Sequence, residues 1–165
     1  MHIREINPDS EVEIGIVAER MRLTLMEVID EARGASMYTI EWLRARVRFH
    51  LDPCQAVGAV FVAEADGGTI VGHTIVRVQQ EHDGELGLFS TTYVLPEERR
   101  GGVARRLLHR GESWMRERGM QRAATYTSKT NHKLIYLYEG RGYAIDLRSD
   151  EMVRLVKTLD GPHHR

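Results

Sequence analysis

The feature that most narrows the fold of this chain is a change in how successive strands are joined. Val57 to Ala65 is rich in apolar and small residues, and Asp66-Gly67-Gly68 after it is a hairpin signal. Thr69 to Gln80 alternates, with β-prone Ile70, Thr74, Val76 and Val78, and His82-Asp83-Gly84 turns the chain again. Leu86 to Leu95 is a third strand, and Pro96 ends its pairing. Tight turns make these three strands antiparallel. The next strand signal, Ala123 to Thr127, comes only after a helical stretch. A helix between two strands makes them parallel, with a right-handed crossover. One parallel pair in a mostly antiparallel sheet creates a switch point, where ligands find a crevice.

The flanks complete the order β-α-α-β-β-β-α-β-α-β-β. His2 to Ile6 reads as a first strand. Ser10-Glu11-Val12-Glu13 reads as a capping box opening a helix to about Met26, with Val12, Ile16 and Val17 on one face. Ile40, Leu43, Val47 and Leu51 mark a second helix, which Pro53 forbids from continuing. Val103, Leu107, Leu108, Gly111, Trp114 and Met115 form the apolar stripe of a long helix from about Gly102, and Gly119 stands where a left-handed cap is wanted. A helix from about Thr130 to Glu139 closes on Gly140 and Gly142, and strands at Tyr143 to Arg148 and Glu151 to Leu159 end the fold.

With 165 residues, the chain is expected to be one domain, with the seam Gly34-Ala35-Ser36 inside it and a frayed tail over about 160–165. The single cysteine, Cys54, excludes an internal disulfide and a cysteine zinc site, and it stands in a loop with no catalytic signature around it. No apolar run approaches the roughly 18 residues of a membrane span, and the charged N-terminus lacks a signal-peptide core. A cytoplasmic location, with no membrane partner, is the expectation. The net charge of −1 argues against a nucleic-acid partner. Arginine nevertheless gathers between Arg99 and Arg122, enough to serve one bound phosphate group. His163 and His164 lack further ligands, so no metal is expected.

The most informative stretch is Val94-Leu95-Pro96-Glu97-Glu98-Arg99-Arg100-Gly101-Gly102-Val103-Ala104. A strand ends, a glycine-bearing loop follows and a helix begins. Free N–H groups at a helix start and two arginines make an anion site. It is neither a Walker loop nor G-x-G-x-x-G.

This stretch resembles the GNAT N-acetyltransferase superfamily, whose signature Gln/Arg-x-x-Gly-x-Gly/Ala is matched by Arg99 to Ala104. A second match runs from Asn131 through Tyr138 to Gly142-Tyr143, and the order of elements agrees along nearly the whole chain. The resemblance implies an α+β, α/β/α-layered GNAT-like fold. Its mixed, mostly antiparallel sheet has about seven strands with one parallel, splayed central pair, and about four helices accompany it.

The resemblance also implies acetyl-CoA as cosubstrate. Arg99, Arg100, Gly101, Gly102, Val103 and Ala104 would take the pyrophosphate, Tyr93 and Val94 would pair with the pantetheine arm, and Asn131 would bond it from the other side. Tyr138 would protonate the leaving thiolate. The reaction would be direct attack of a small-molecule or peptide amine on the thioester in a ternary complex.

The general base is open. Many relatives carry a glutamate on the fourth strand, but Leu88-Phe89-Ser90-Thr91-Thr92 holds no carboxylate. Glu85, His73 and water are the candidates. Tyr38 and Trp42 are candidate aromatic walls for the acceptor, and Glu81, Asp83 and Glu85 could attract a cation. Two rival readings stay in view: a non-catalytic acyl-CoA-binding or sensory module on the same fold, and an arginine-rich nucleic-acid binder. A homodimer is left open.

Overall fold

A computed structural model describes residues 1–28 and 38–160, with the side chains of 26–28 left aside. Gly34-Ala35-Ser36, His163 and His164 lie outside the described residues. The elements are β1 (His2–Glu5), α1 (Glu11–Val28), α2 (Ile40–Leu51), β2 (Gly58–Glu64), β3 (Ile70–Glu81), β4 (Gly84–Val94), α3 (Val103–Glu117), β5 (Arg122–Ser128), α4 (His132–Glu139), β6 (Ala144–Arg148) and β7 (Met152–Thr158). A short 3-10 turn, Pro96–Glu98, sits between β4 and α3.

The strands form one seven-stranded sheet in the order β1-β2-β3-β4-β5-β7-β6. Every pairing is antiparallel except β4 with β5. The hairpin glycines act where a positive φ is required, at Gly68 (φ 89°) and Gly84 (φ 118°).

The parallel contact is short. Gly87, Leu88 and Phe89 face Ala123, Ala124 and Thr125, and there the ladder stops. Beyond it the two strands part, as the resemblance implied, and the parallel direction is the one the crossover predicted. Ser90 contributes to the parting. Ile75 pairs with Thr91 and Val76 with Phe89, so Ser90 is an extra residue, a β-bulge in β4. The bulge shifts side-chain parity by one. Thr92 and Val94 therefore join Phe89 on the α3 side of the sheet, and Thr91 and Tyr93 face α1.

Two cores hold the layers. On one face Val103, Leu107, Leu108, Trp114 and Met115 of α3 pack with Phe61, Val76, Phe89 and the α4 residue Tyr138. Each fully buried large apolar side chain contributes about 1.5–3 kcal/mol, so this stripe fixes where α3 begins relative to β4. The helix lies close on the sheet. A Cβ on Gly111 would meet Phe89 Cε1 at 2.4 Å, and one on Gly87 would meet Met115 Cγ at 2.4 Å.

On the other face Ile14, Val17, Ala18 and Met21 of α1 and Leu43 and Val47 of α2 cover Val60, Val62 and Ile75. This corrects the helical face read from sequence. Val12 is 72% exposed, because residues 14, 17, 18 and 21 share the stripe that meets the sheet. The capping box is also only half formed. Ser10 Oγ accepts from Glu13 N at 3.1 Å, but the Glu13 carboxylate turns to Arg4 of β1 and to Asn7 N.

Candidate active site

Where β4 and β5 part, a cleft of about 1620 Å³ opens between α1 and α2 on one side and α3 and α4 on the other. Its mouth is the loop after β4. Arg100 (φ 73°) and Gly102 (φ 85°) are both left-handed and flank Gly101. Alternation of this kind turns successive N–H groups toward one concavity, an anion nest. Gly102 caps α3 without a side-chain hydrogen bond, and the first turn of α3 carries no acidic residue. The helix-start N–H groups and dipole therefore meet the cleft undiminished. A Cβ on Gly102 would meet nothing within 4 Å, so the space in front of it is open.

Arg99, Arg100, Gly102, Val103 and Ala104 all line the cleft. Gly101 is exposed beside them. Arg99 stiffens the loop: its Nε donates to Val94 O at 2.8 Å, and its guanidinium lies 5.5 Å from the centre of the Tyr93 ring. Tyr93 and Val94 line the same wall.

Asn131 stands across the cleft as the N-cap of α4. Its Oδ1 accepts from Leu134 N at 3.4 Å and its Nδ2 donates to Thr127 Oγ1 at 3.1 Å. Among the described residues, one amide hydrogen and one lone pair of this side chain stay without a partner, and Asn131 lines the cleft.

Tyr138 is 1% exposed and does not itself line the cleft. Its hydroxyl lies 3.3 Å from Thr92 Oγ1, which does line it, and Thr92 is in turn 2.8 Å from Thr74 Oγ1. Burial pushes the phenol well above its ordinary value, with Thr92 and Thr125 pulling it back in part. Tyr138 therefore stays protonated at every working pH and keeps a hydroxyl hydrogen to donate. Its ring packs edge-on to Phe89 and Tyr143, at 5.8 and 5.0 Å. Tyr143 is held by buried Glu112 of α3, whose carboxylate accepts from the Tyr143 hydroxyl at 2.6 Å and meets Lys157 and Arg141. That network registers α4 against α3.

The base candidates fare differently. Glu85 is exposed near the start of β4, opposite Gln80, at the end away from the opening, and it is not among the cleft residues. His73 is wholly buried between β4 and α1. Its Nε2 is 2.9 Å from Thr91 Oγ1, its Nδ1 has no partner among the described residues, and its ring stacks on Tyr93 at 6.2 Å. Burial, helped by Arg20, pushes its pKa down to about 3, so it is a neutral ring and a feeble base.

Tyr38 and Trp42 do meet, with ring centroids 5.2 Å apart, and both line the cleft on the α2 side. The acidic turn does not serve the cleft. Asp83 binds Arg154 and Arg122, and Glu81 accepts from Tyr126 and pairs with Arg154. Arg154, 71 residues away in sequence from Asp83, has consumed these charges. Cys54 is exposed. Among the described residues, no three His, Cys, Asp or Glu side chains gather as a metal site would require, and no helix is long and apolar enough to cross a membrane.

Sequence reading missed Ser90, Thr91, Thr92 and Thr125. Thr125 donates to Phe89 O at 3.0 Å, filling the place where the parallel ladder fails. The run Ser90-Thr91-Thr92 just before a strand-ending proline was the available signal.

Comparison with known proteins agrees with this geometry. Among solved structures, the PaiA N-acetyltransferase of Thermoplasma acidophilum, determined in complex with coenzyme A, superposes with a TM-score of 0.74 at 17% identity, covering 95% of this chain and 98% of that one. PH1933 from Pyrococcus horikoshii superposes at 0.77 and 17%, covering 96% and 98%. These likenesses are of fold. In sequence, the mycothiol acetyltransferase of Thermobispora bispora is 31% identical over 109 residues, 64% of this chain but 36% of that protein. That of Propionibacterium freudenreichii is 30% identical over 86 residues, 52% and 28%. The chain thus spans about a third of the length of the curated relatives it matches. The model of the acetyltransferase (GNAT) family matches residues 24–143, taking in the bulged strand, the anion nest and Tyr138, and the chain belongs to that family.

Proposed function

We propose that the chain is an N-acetyltransferase that moves the acetyl group of acetyl-CoA to an amine of a small molecule or peptide, by direct attack in a ternary complex. The observation that carries this reading is the meeting of two features across one opening: an anion nest at the mouth and a protonated, buried tyrosine behind Thr92. The residues fit the cosubstrate. The open space at Gly102 admits a pyrophosphate, with Arg100 and Arg105 beside it. The parted edge of β4 at Tyr93 and Val94 offers backbone to an extended arm, and Asn131 faces it.

In this reading the acceptor enters from the side of Tyr38 and Trp42. Its ammonium loses a proton to water, since neither Glu85 nor His73 is placed or poised to take it. Tyr138 supplies a proton to the departing sulfur through the Thr92 hydroxyl. No metal takes part, and the acceptor is met in the cytoplasm.

Two measurements test this. Calorimetry should show acetyl-CoA binding, and a panel of amines and peptides should release CoA thiol only when an acceptor is present. Tight acetyl-CoA binding with no acetylation of any amine would leave the sensory module as the correct reading.

A further inference from the structure

We propose, building on the transferase reading above, that Thr91 is a reacting-centre residue whose hydroxyl donates to the thioester oxygen as it gains negative charge, and that His73 is the positioning residue that aims it. Thr91 directly follows the Ser90 bulge, past the last parallel pair at Phe89 and Thr125, and it lines the cleft. That is where the two strands first leave room for a carbonyl between them.

The direction of the hydroxyl follows from the hydrogen bond behind it. His73 is held on three sides: Thr91 at Nε2, the Tyr93 ring against its face, and Arg20 of α1, whose charge opposes a positive imidazole. A neutral ring carries one N–H. Placed on Nδ1, that hydrogen would be a buried donor without an acceptor. Placed on Nε2, it leaves only a lone pair unmet. Orphaned N–H groups are the rarer and costlier state. Nε2–H therefore donates to Thr91 Oγ1, taking one of its lone pairs.

The Thr91 carbonyl is engaged separately, by Thr74 Oγ1 at 3.3 Å. Among the described residues, His73 is the one side-chain partner of the Thr91 hydroxyl, so with Nε2–H donating the hydroxyl hydrogen has no protein acceptor, and Thr91 lines the cleft. A hydroxyl that already accepts a hydrogen bond is polarised and donates more strongly. A donor fixed before the reaction and aimed at developing charge lowers the barrier without reorganising. His73 thus acts through Thr91 and exchanges no proton with the acceptor.

The experiment compares Thr91→Val, Thr91→Ser, His73→Met, His73→Gln and the double variant Thr91→Val/His73→Met, using the best amine from the acceptor panel. Removing one such donor should lower kcat by about 10²-fold. Thr91→Val is expected to show that loss with acetyl-CoA affinity by calorimetry and Tm nearly unchanged, and Thr91→Ser to restore most of it. His73→Gln keeps an N–H donor and should retain more activity than His73→Met. The double variant should be no slower than Thr91→Val alone, because His73 has nothing left to aim. If His73→Met does not fold, the Thr91 pair and His73→Gln still decide.

A folded Thr91→Val enzyme with at least half the wild-type kcat overturns the proposal, as do losses that multiply in the double variant. Disappearance of the acidic limb of the kcat/KM profile in His73→Gln, at pH values where wild type and variant are both fully folded by circular dichroism, would make His73 a base instead, and would also overturn it. A wild-type protein that binds acetyl-CoA but acetylates no amine refutes the transferase reading itself, whereas an active wild type with an unaffected Thr91→Val refutes only this inference.

Discussion

Mild acid should unfold this protein well before its carboxylates are protonated, because two histidines are buried in the neutral form. His50 of α2 has its tautomer fixed: Nδ1 donates to Arg46 O at 2.9 Å and Nε2 accepts from Arg77 at 2.9 Å. A second proton would bring an N–H against the Arg77 guanidinium, and burial with that charge pushes the pKa down to about 4. His73 is pushed to about 3. An unfolded histidine titrates near 6.5. The folded values are lower, so the unfolded chain binds protons first. The stability is complete above about pH 6.5 and is lost as pH falls toward the folded values. At pH 5 each histidine has cost about 2 kcal/mol, and the pair about 4 kcal/mol, a large part of the roughly 5–15 kcal/mol that holds a domain together. The carboxylates held low, Glu13 by Arg4 and Asp83 by Arg154 and Arg122, give up their contribution only below about pH 4. Urea unfolding at pH 7, 6 and 5, at fixed ionic strength, measures the loss. His50→Gln should halve the slope between pH 7 and 5. A change smaller than about 1 kcal/mol over that interval would refute the reasoning, and would mean that water or local opening lets the rings charge inside the fold.

Gly102→Glu should abolish acetyl-CoA binding in a folded protein, since it places bulk and negative charge in the nest and forces a side chain into a left-handed φ of 85°; calorimetry and a melting curve on one sample check it. Tyr138→Phe should lower kcat by about 10²–10⁴-fold while acetyl-CoA affinity holds. Loss of the Thr92 contact should cost that variant only about 1 kcal/mol of stability, and a folded variant that keeps half the wild-type rate would make Tyr138 a packing residue. Gly111→Val should cost about 1–3 kcal/mol, because its Cβ would lie 2.4 Å from Phe89 Cε1, and each kcal/mol lowers Tm by roughly 2–4 °C.

What could be read from the chain was whatever a local pattern determines. The stripe on α3 and the turns at Gly68 and Gly84 each rest on a few adjacent residues, and the parallel pair follows from connectivity alone. The phase of α1 was not local. Val12, Ile16 and Val17 looked like a face, but Ile14, Val17, Ala18 and Met21 also make one, and only the sheet beneath selects between them. The bulge escaped for a similar reason. Threonine suits either face of a strand, so Ser90-Thr91-Thr92 carries no mark of a parity change. His73 sits between Gly72 and Thr74, where nothing signals complete burial, and Glu81 and Asp83 read as free acids until Arg154 came to meet them.

The cleft divides its chemistry along its length. Around the place where β4 and β5 part, the wall is made of hydroxyls: Ser90, Thr91, Thr92, Thr125 and Thr127. A carboxylate enclosed there would cost several kcal/mol of desolvation unless it were well paired, and Arg20 of α1, next to His73, already donates to Ile70 O. Hydroxyls avoid this cost because each can donate or accept as its surroundings require. Toward the mouth the wall becomes mainly cationic, with Arg99, Arg100 and Arg105 around the nest, Glu98 among them, and Lys133 facing from α4. A ligand that is anionic along its whole length would lose its hydration at the neutral centre without repayment, and a wholly neutral one would leave the mouth unused. The complement of this wall is an extended molecule with phosphate at one end and an uncharged, reactive carbonyl at the other. That polarity, more than the presence of any one residue, is what ties the anion nest and the hydroxyl-lined opening to a single ligand.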